Sequence, residues 1–247
     1  MKFTLNYLAF LLLTLTVGGC GTSSEQTQRQ TDTLPARTGT DTTAQAASTM
    51  ATPEWTKNAT IYEVNVRQFS AKADLKGVEA QLPRLKELGV DIIWLMPIYP
   101  IGVEKKKGAL GSPYAVADYK AVNADYGTFE DLKQLVQRAH DLGMRVILDF
   151  IPNHTAWDHV WVKQHPDWYT QTNGKMTSPL DEKGKPTGWD DVVDLNYNNP
   201  ELRAAMIDAM TFWVREANID GYRMDVAGLV PNDFWQEVRP ALDKIKP

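Results

Sequence analysis

From Trp55 onward, short apolar runs alternate with segments whose apolar residues recur every three to four positions. Alternation over Ile61–Phe69 predicts a first strand. Val78, Leu82, Leu85 and Leu88 have helical spacing, and Gly89 ends that segment as a C-cap glycine would. The run Asp91–Pro97 predicts a buried second strand. Thr128, with Asp131 three residues on, marks a helix start. Leu132, Leu135, Val136 and Ala139 form that helix's inner face, and Gly143 closes it. Arg145–Ile151 predicts a third strand, Pro200–Ala217 a third helix and Asp220–Val226 a fourth strand. Pro231, followed by Phe234, Val238 and Leu242, predicts a fourth helix.

Strand–helix units in series imply an α/β fold with a parallel sheet and helices outside it. An open doubly wound sheet and a TIM (β/α)8 barrel both fit. No Gly-x-Gly-x-x-Gly follows any of these strands, which disfavours a dinucleotide-binding sheet. A barrel needs eight units and only the first four are legible, with a long insert after the third strand. Half a barrel would leave two unpaired edges, so the expectation is the front part of a longer protein. Residues 53–247 are thus expected to be the N-terminal half of the barrel, with 155–199 as an inserted small domain.

A net charge of -5 argues against a nucleic-acid binder, which would carry a basic face. The single cysteine excludes an intrachain disulfide and suggests another use. Lys2, the apolar run Leu8–Val17 and the small residues Gly18 and Gly19 lead into Cys20. This resembles a bacterial lipoprotein signal, with residues 1–19 removed and Cys20 lipidated; an ordinary secretory signal or uncleaved anchor is the alternative. Residues 20–52 are rich in Thr, Ser, Gln and Ala and read as a flexible tether to the envelope membrane, facing the periplasm or the exterior.

The chemistry concentrates where the strands end. In Gly221–Asp225, Tyr222 and Met224 alternate with Arg223 and Asp225. On a strand the Arg and the Asp would share a face, and the Arg would favour an ionised carboxylate. That is the state a carboxylate nucleophile needs, although a purely structural ion pair has the same signature. Asp149, Asn153 and His154 lie at the end of the third strand, and Tyr114, Asp118 and Tyr119 in the long loop after the second. Each has an ordinary reading as a cap, a turn or loop packing. Their gathering on one rim favours a site.

Asp149-Phe-Ile-Pro-Asn-His154 and Gly221-Tyr-Arg-Met-Asp225 resemble the first two signature regions of the α-amylase family, glycoside hydrolase family 13. Pro113–Tyr119 with Asp125–Thr128, and Val193-Asp-Leu-Asn196, are similar to two further segments of that family. The resemblance implies a retaining hydrolase of α-glucans, with Asp225 as nucleophile and Arg223 holding it. It also implies that His154 bonds a sugar hydroxyl, that Tyr114 stacks on the ring, and that Asn153 and Asp194 bind a structural calcium. Two departures stand out. Gly228 and Leu229 replace a Lys–His pair that many relatives carry after the nucleophile. The second carboxylate that retention requires comes, in the family, from a fifth strand. Glu237 falls on a helix and reads as a solvated surface charge. The chain alone is therefore expected to be inactive while a full-length parent hydrolyses glucan.

In the insert, Trp157, Trp161, Trp168, Tyr169 and Trp189 are expected mostly to build its small core, with sugar stacking as the alternative. His159 and His165 read as surface residues, and a zinc site on them as the weaker option. A metal-dependent amidohydrolase lacks its His-x-His on the first strand. A non-catalytic glucan-binding surface lipoprotein remains the rival outside enzymes.

Overall fold

The computed structural model describes residues 52–247. The predicted signal peptide, Cys20 and nearly all of the tether lie outside the described residues. The chain enters through β1 (Ile61–Val64), α1 (Val66–Phe69), α2 (Leu75–Glu79), α3 (Leu82–Glu87), β2 (Ile92–Leu95), α4 (Phe129–Asp141) and β3 (Arg145–Phe150). The insert carries β4 (His154–Ala156), α5 (Val160–Gln164), β5 (Gln171–Thr172), β6 (Lys175–Met176) and β7 (Val192–Asp194). The chain then returns through α6 (Pro200–Ala217), β8 (Gly221–Met224) and α7 (Asn232–Asp243).

β1, β2, β3 and β8 form one parallel sheet in that order, and no closed barrel exists among the described residues. One face is apolar. Val64, Ile93, Leu95, Val146 and Leu148 are fully buried beneath the helices. From α4, Leu132, Leu135, Val136 and Ala139 enter this core, and from α6 Leu202, Met206, Ala209, Met210 and Trp213. The Trp213 indole donates to the Tyr119 carbonyl at 2.7 Å and ties the loop after β2 to α6.

Several local expectations hold. Thr128 Oγ1 accepts from the Asp131 amide and the Asp131 carboxylate accepts from the Thr128 amide, a complete capping box. Gly89 and Gly143 end their helices at φ 88° and 69°, a region costly for side chains other than glycine. Others need correction. The predicted first strand stops at Val64, and Val66–Phe69 forms a helical turn whose Phe69 meets Tyr62 edge-on. The predicted helix 77–88 is two helices, because Pro83 can donate no backbone hydrogen bond and starts a new one instead. Leu88 consequently lies exposed rather than on an inner face.

Candidate active site

The site is built on the polar face of the sheet. Asp149 pairs in register with Arg223, and Trp94 with Ile147 two residues before Asp149. Residues in register, and residues two apart on a strand, share a face. Trp94, Asp149 and Arg223 thus project together, while Tyr222 points the other way and donates its hydroxyl to the Met210 carbonyl of α6.

Arg223 is the hub. Its Nη1 donates to Asp225 Oδ1 at 2.7 Å and to Asp149 Oδ1 and Oδ2 at 3.1 and 3.3 Å. Asp149 Oδ2 also accepts from the Trp94 indole and the Tyr114 hydroxyl, each at 3.2 Å. The guanidinium carbon lies 5.0 Å from the Trp94 ring centre, within cation–π range. Trp94 and Tyr114 fix Asp149, Asp149 fixes Arg223, and Arg223 aims Asp225.

The two carboxylates differ in access. Asp149 is 0% exposed, whereas the Asp225 side chain reaches solvent. Burial pushes Asp149 up to about 6, against the hydrogen bonds and charge of Arg223. Burial also raises Asp225 above its ordinary value, with Arg223 opposing. Arg223 favours the ionised form as the sequence predicts, but loss of water outweighs the guanidinium and the net shift is upward. Asp149 cannot serve as an acid to a substrate despite its raised value, since it is sealed and its oxygens are taken.

After Asp225 the backbone turns through Val226 at φ 48° and ψ 36°. A β-branched residue in the left-handed region is strained, and such strain collects where a side chain must be aimed. The fourth strand, predicted over Asp220–Val226, therefore ends at Met224, and Val226 lines a cleft with residues of the 181–189 turn.

The remaining predicted site residues gather nearby. His154 is buried, with Nδ1 3.1 Å from Asn153 Oδ1 and its ring centre 5.7 Å from that of Trp189. Burial pushes it down to about 4, against the charge of Asp191 and a backbone bond to Tyr114, so it is neutral at pH 7. His154 and Asp194 face each other across the β4–β7 ribbon, and the Leu195 amide donates to the Asn153 carbonyl. Asn153 and Asp194 are thereby neighbours. Burial raises the Asp194 carboxyl, and a hard cation would relieve that desolvated charge with oxygen ligands. Among the described residues no three His, Cys, Asp or Glu side chains cluster as a metal site. Glu237 forms an ion pair with Arg203 at 2.7 Å, far from any acid role.

His159 is corrected from surface to core. It is 1% exposed, its Nδ1 accepts from the Trp161 amide, and its ring packs on Tyr119 and Trp161. His165 stacks on Trp168 at 3.8 Å. Most of the insert's aromatic residues are core, as expected, but they build no separate small core: Trp168 and Tyr169 join the main core of the sheet and helices, with Trp157 and Trp161 packed against it.

A family description, "Alpha amylase, catalytic domain", matches residues 36–242. The chain belongs to the α-amylase family. It is 34% identical over 220 residues to α-amylase 3 of Dictyoglomus thermophilum, covering 78% of this chain and 42% of that protein. A crystal structure of an α-amylase from Lactobacillus plantarum superposes with a TM-score of 0.72 at 46% identity, over 77% of this chain and 43% of that one. An acarbose complex of the Geobacillus thermoleovorans α-amylase matches with a TM-score of 0.64 at 33% identity, over 76% and 44% of the two chains. The chain spans less than half the length of these relatives. Within the α-amylase family, its four parallel strands are a segment of a TIM barrel.

Sequence reasoning placed Asp149 on the rim but gave it no partner, and it missed Trp94 altogether. The signal for Trp94 was an indole inside an otherwise aliphatic strand, since a buried Trp N–H seeks an acceptor.

Proposed function

We propose that the protein to which this chain belongs is a retaining α-glucan hydrolase acting on starch-like polysaccharides or their oligosaccharides. One observation carries the reading: an accessible Asp225 held by a guanidinium that is itself fixed by a sealed carboxylate. An Asp225 oxygen attacks C1 of a glucosyl unit and the glycosidic C–O bond breaks. The departing oxygen takes a proton from a second carboxylic acid, and water then releases the glycosyl group from Asp225. Arg223 limits the rise that burial imposes on Asp225 and so keeps the nucleophile ionised. Neutral His154 bonds a sugar hydroxyl, and the Tyr114 ring stacks on the same sugar. The acarbose complex in the Geobacillus relative supports an α-glucan-like ligand here.

Asp225→Asn in the full-length protein should abolish starch hydrolysis and leave maltooligosaccharide binding in place. Unchanged turnover would remove Asp225 from the mechanism. A structural calcium at Asn153 and Asp194 completes the reading. Its check is a melting temperature lowered by a chelator and restored by calcium, and no response to either would discard the site. We also infer a lipid anchor on Cys20 in the bacterial envelope. A Cys20→Ser protein that stays in the membrane fraction would refute that anchor.

A further inference from the structure

We propose that Lys107 is a positioning residue. Its ammonium latches the tip of the loop after β2 to the insert, and so presents Tyr114 and His154 together as one preformed wall. The proposal deepens the reading above and rests on those two residues contacting the sugar.

The two loops meet first through their backbones. Residues 100–102 and 115–117 form a short antiparallel ribbon, with the Gly102 amide on the Ala115 carbonyl and the Ala117 amide on the Pro100 carbonyl, each at 2.8 Å. The Ala156 amide of β4 donates to the Val116 carbonyl at 2.8 Å and joins this ribbon to the insert. Between the two strands of the ribbon the chain projects as a tip, residues 103–110, all of them exposed. Apolar burial does not anchor the tip, since Val103 and Leu110 are 68% and 67% exposed. Lys105 sits at φ 55°, a strain that persists only where the surroundings impose it. Polar contacts must therefore hold the tip.

Those contacts are unequal. Asp158 Oδ2 accepts from the Val103 and Glu104 amides at 2.9 and 3.3 Å, which fastens only the start of the tip. The Lys105 ammonium lies 3.1 Å from the Trp157 ring centre, an attraction that water weakens at an exposed site. Lys106 donates to the Ala109 carbonyl at 3.1 Å, within the tip itself. Lys107 alone joins the tip to a buried charge. Its Nζ donates to the Gly188 carbonyl at 2.7 Å and lies 3.3 Å from Asp191 Oδ1. The Asp191 side chain is 10% exposed, and among the described residues Lys107 is its only ion-pair partner. A buried carboxylate holds a single cation firmly, because losing it would strand the charge.

Both ends of the latch lead to the sugar-binding residues. Asp191 runs directly into β7, whose partner strand β4 begins with His154, and the Trp189 ring stands 5.7 Å from the His154 ring. Beyond the tip, Ser112 Oγ accepts from the Tyr114 amide at 3.2 Å. Asp149 holds the Tyr114 hydroxyl, so the latch secures the backbone end of that residue. With the latch closed, neither loop has to be ordered when a sugar arrives, and less affinity is lost to ordering.

Titrating the full-length Asp225→Asn protein with maltohexaose reads affinity without turnover. Lys107→Met should weaken binding about fivefold, through the ordering it reintroduces. Lys107→Arg should restore most of that, and Lys106→Met should bind as its parent does. A latch acting through Tyr114 costs little more once Tyr114→Ala is present. Equal losses with and without Tyr114→Ala would overturn the proposal, as would unchanged affinity in Lys107→Met. Should Lys107→Met fail to fold because Asp191 is stranded, Lys107→Met/Asp191→Asn opens the latch without that charge and carries the same expectations. Hydrogen exchange tests the latch without any sugar. Amides of residues 103–116 should exchange faster in Lys107→Met than in wild type or Lys106→Met, and equal exchange would reject the latch. If the Asp225→Asn parent binds no maltohexaose and the wild type hydrolyses no starch, the hydrolase reading falls, and the exchange comparison alone upholds or rejects the latch.

Discussion

The Asp149–Arg223–Asp225 array shows how one guanidinium can serve two carboxylates with opposite duties. Asp149 gives up water to hold Arg223, and burial leaves its folded-state pKa at about 6, above the ordinary carboxylate value. The direction of the stability effect follows from proton binding. Between about pH 4 and pH 6 the folded chain holds the Asp149 proton more tightly than the unfolded chain does, so this group costs stability as pH rises. Asp149→Asn removes that dependence. The melting temperature of the variant minus that of the wild type should climb from pH 4 to pH 6 and level off above it. A difference that stays flat across the range would show that Asp149 does not titrate as described. Asp225→Asn should leave a smaller slope of the same sign, because burial also raises Asp225. At this scale the sequence carried the pairing of Arg223 with Asp225, through their parity on one strand. It could not carry the balance between burial and charge, because that depends on what covers each carboxylate. Nor could it show that Trp94 and Tyr114 lie within reach of Asp149, 55 and 35 residues away.

The elements read best from sequence are those with chemical stops at both ends. α4 begins at the Thr128–Asp131 capping box and ends before Gly143. α6 begins at Pro200 behind the Asn199 cap and ends on Asn218 in the left-handed region. α4 puts its buried stripe where the spacing placed it. Thr128→Ala should destabilise the fold by about 1 kcal/mol, since it strands helix N–H groups, while Thr128→Ser should recover most of the loss. Chemical denaturation measures both, and an Ala variant as stable as wild type would show that the Lys76–Asp131 ion pair alone secures this helix end. Segments without such stops read poorly. The apolar spacing of Val78, Leu82 and Leu85 runs unbroken across the junction of α2 and α3, so the period alone could not reveal it. The turn at Asn65 was hidden likewise, because Val66 continues the alternation of Tyr62 and Val64, which the backbone no longer follows.

Across the whole molecule, the parallel sheet has one face sealed by helices and another that carries the clamp. Trp94, Ile147 and Arg223 on that second face remain only partly covered. The chain spans less than half the length of the relatives it matches. Retention demands two carboxylates about 5 Å apart, one ionised and one able to give a proton. Among the described residues the clamp holds Asp149 and Asp225. Asp149 has no access, and Asp225 is the nucleophile in the reading proposed above. Glu237 is held by Arg203 and Glu182 lies on a solvent-exposed turn, and neither lies on the sheet. The 247-residue chain by itself should therefore release no reducing sugar from soluble starch. Maltooligosaccharides should still quench its tryptophan fluorescence, because Tyr114 and His154, with Trp189 beside it, need no acid to make contact. Starch hydrolysis by the purified chain at a rate typical of α-amylases would refute this division, and would turn the search for the proton donor to Glu182 at the edge of the cleft beside Val226.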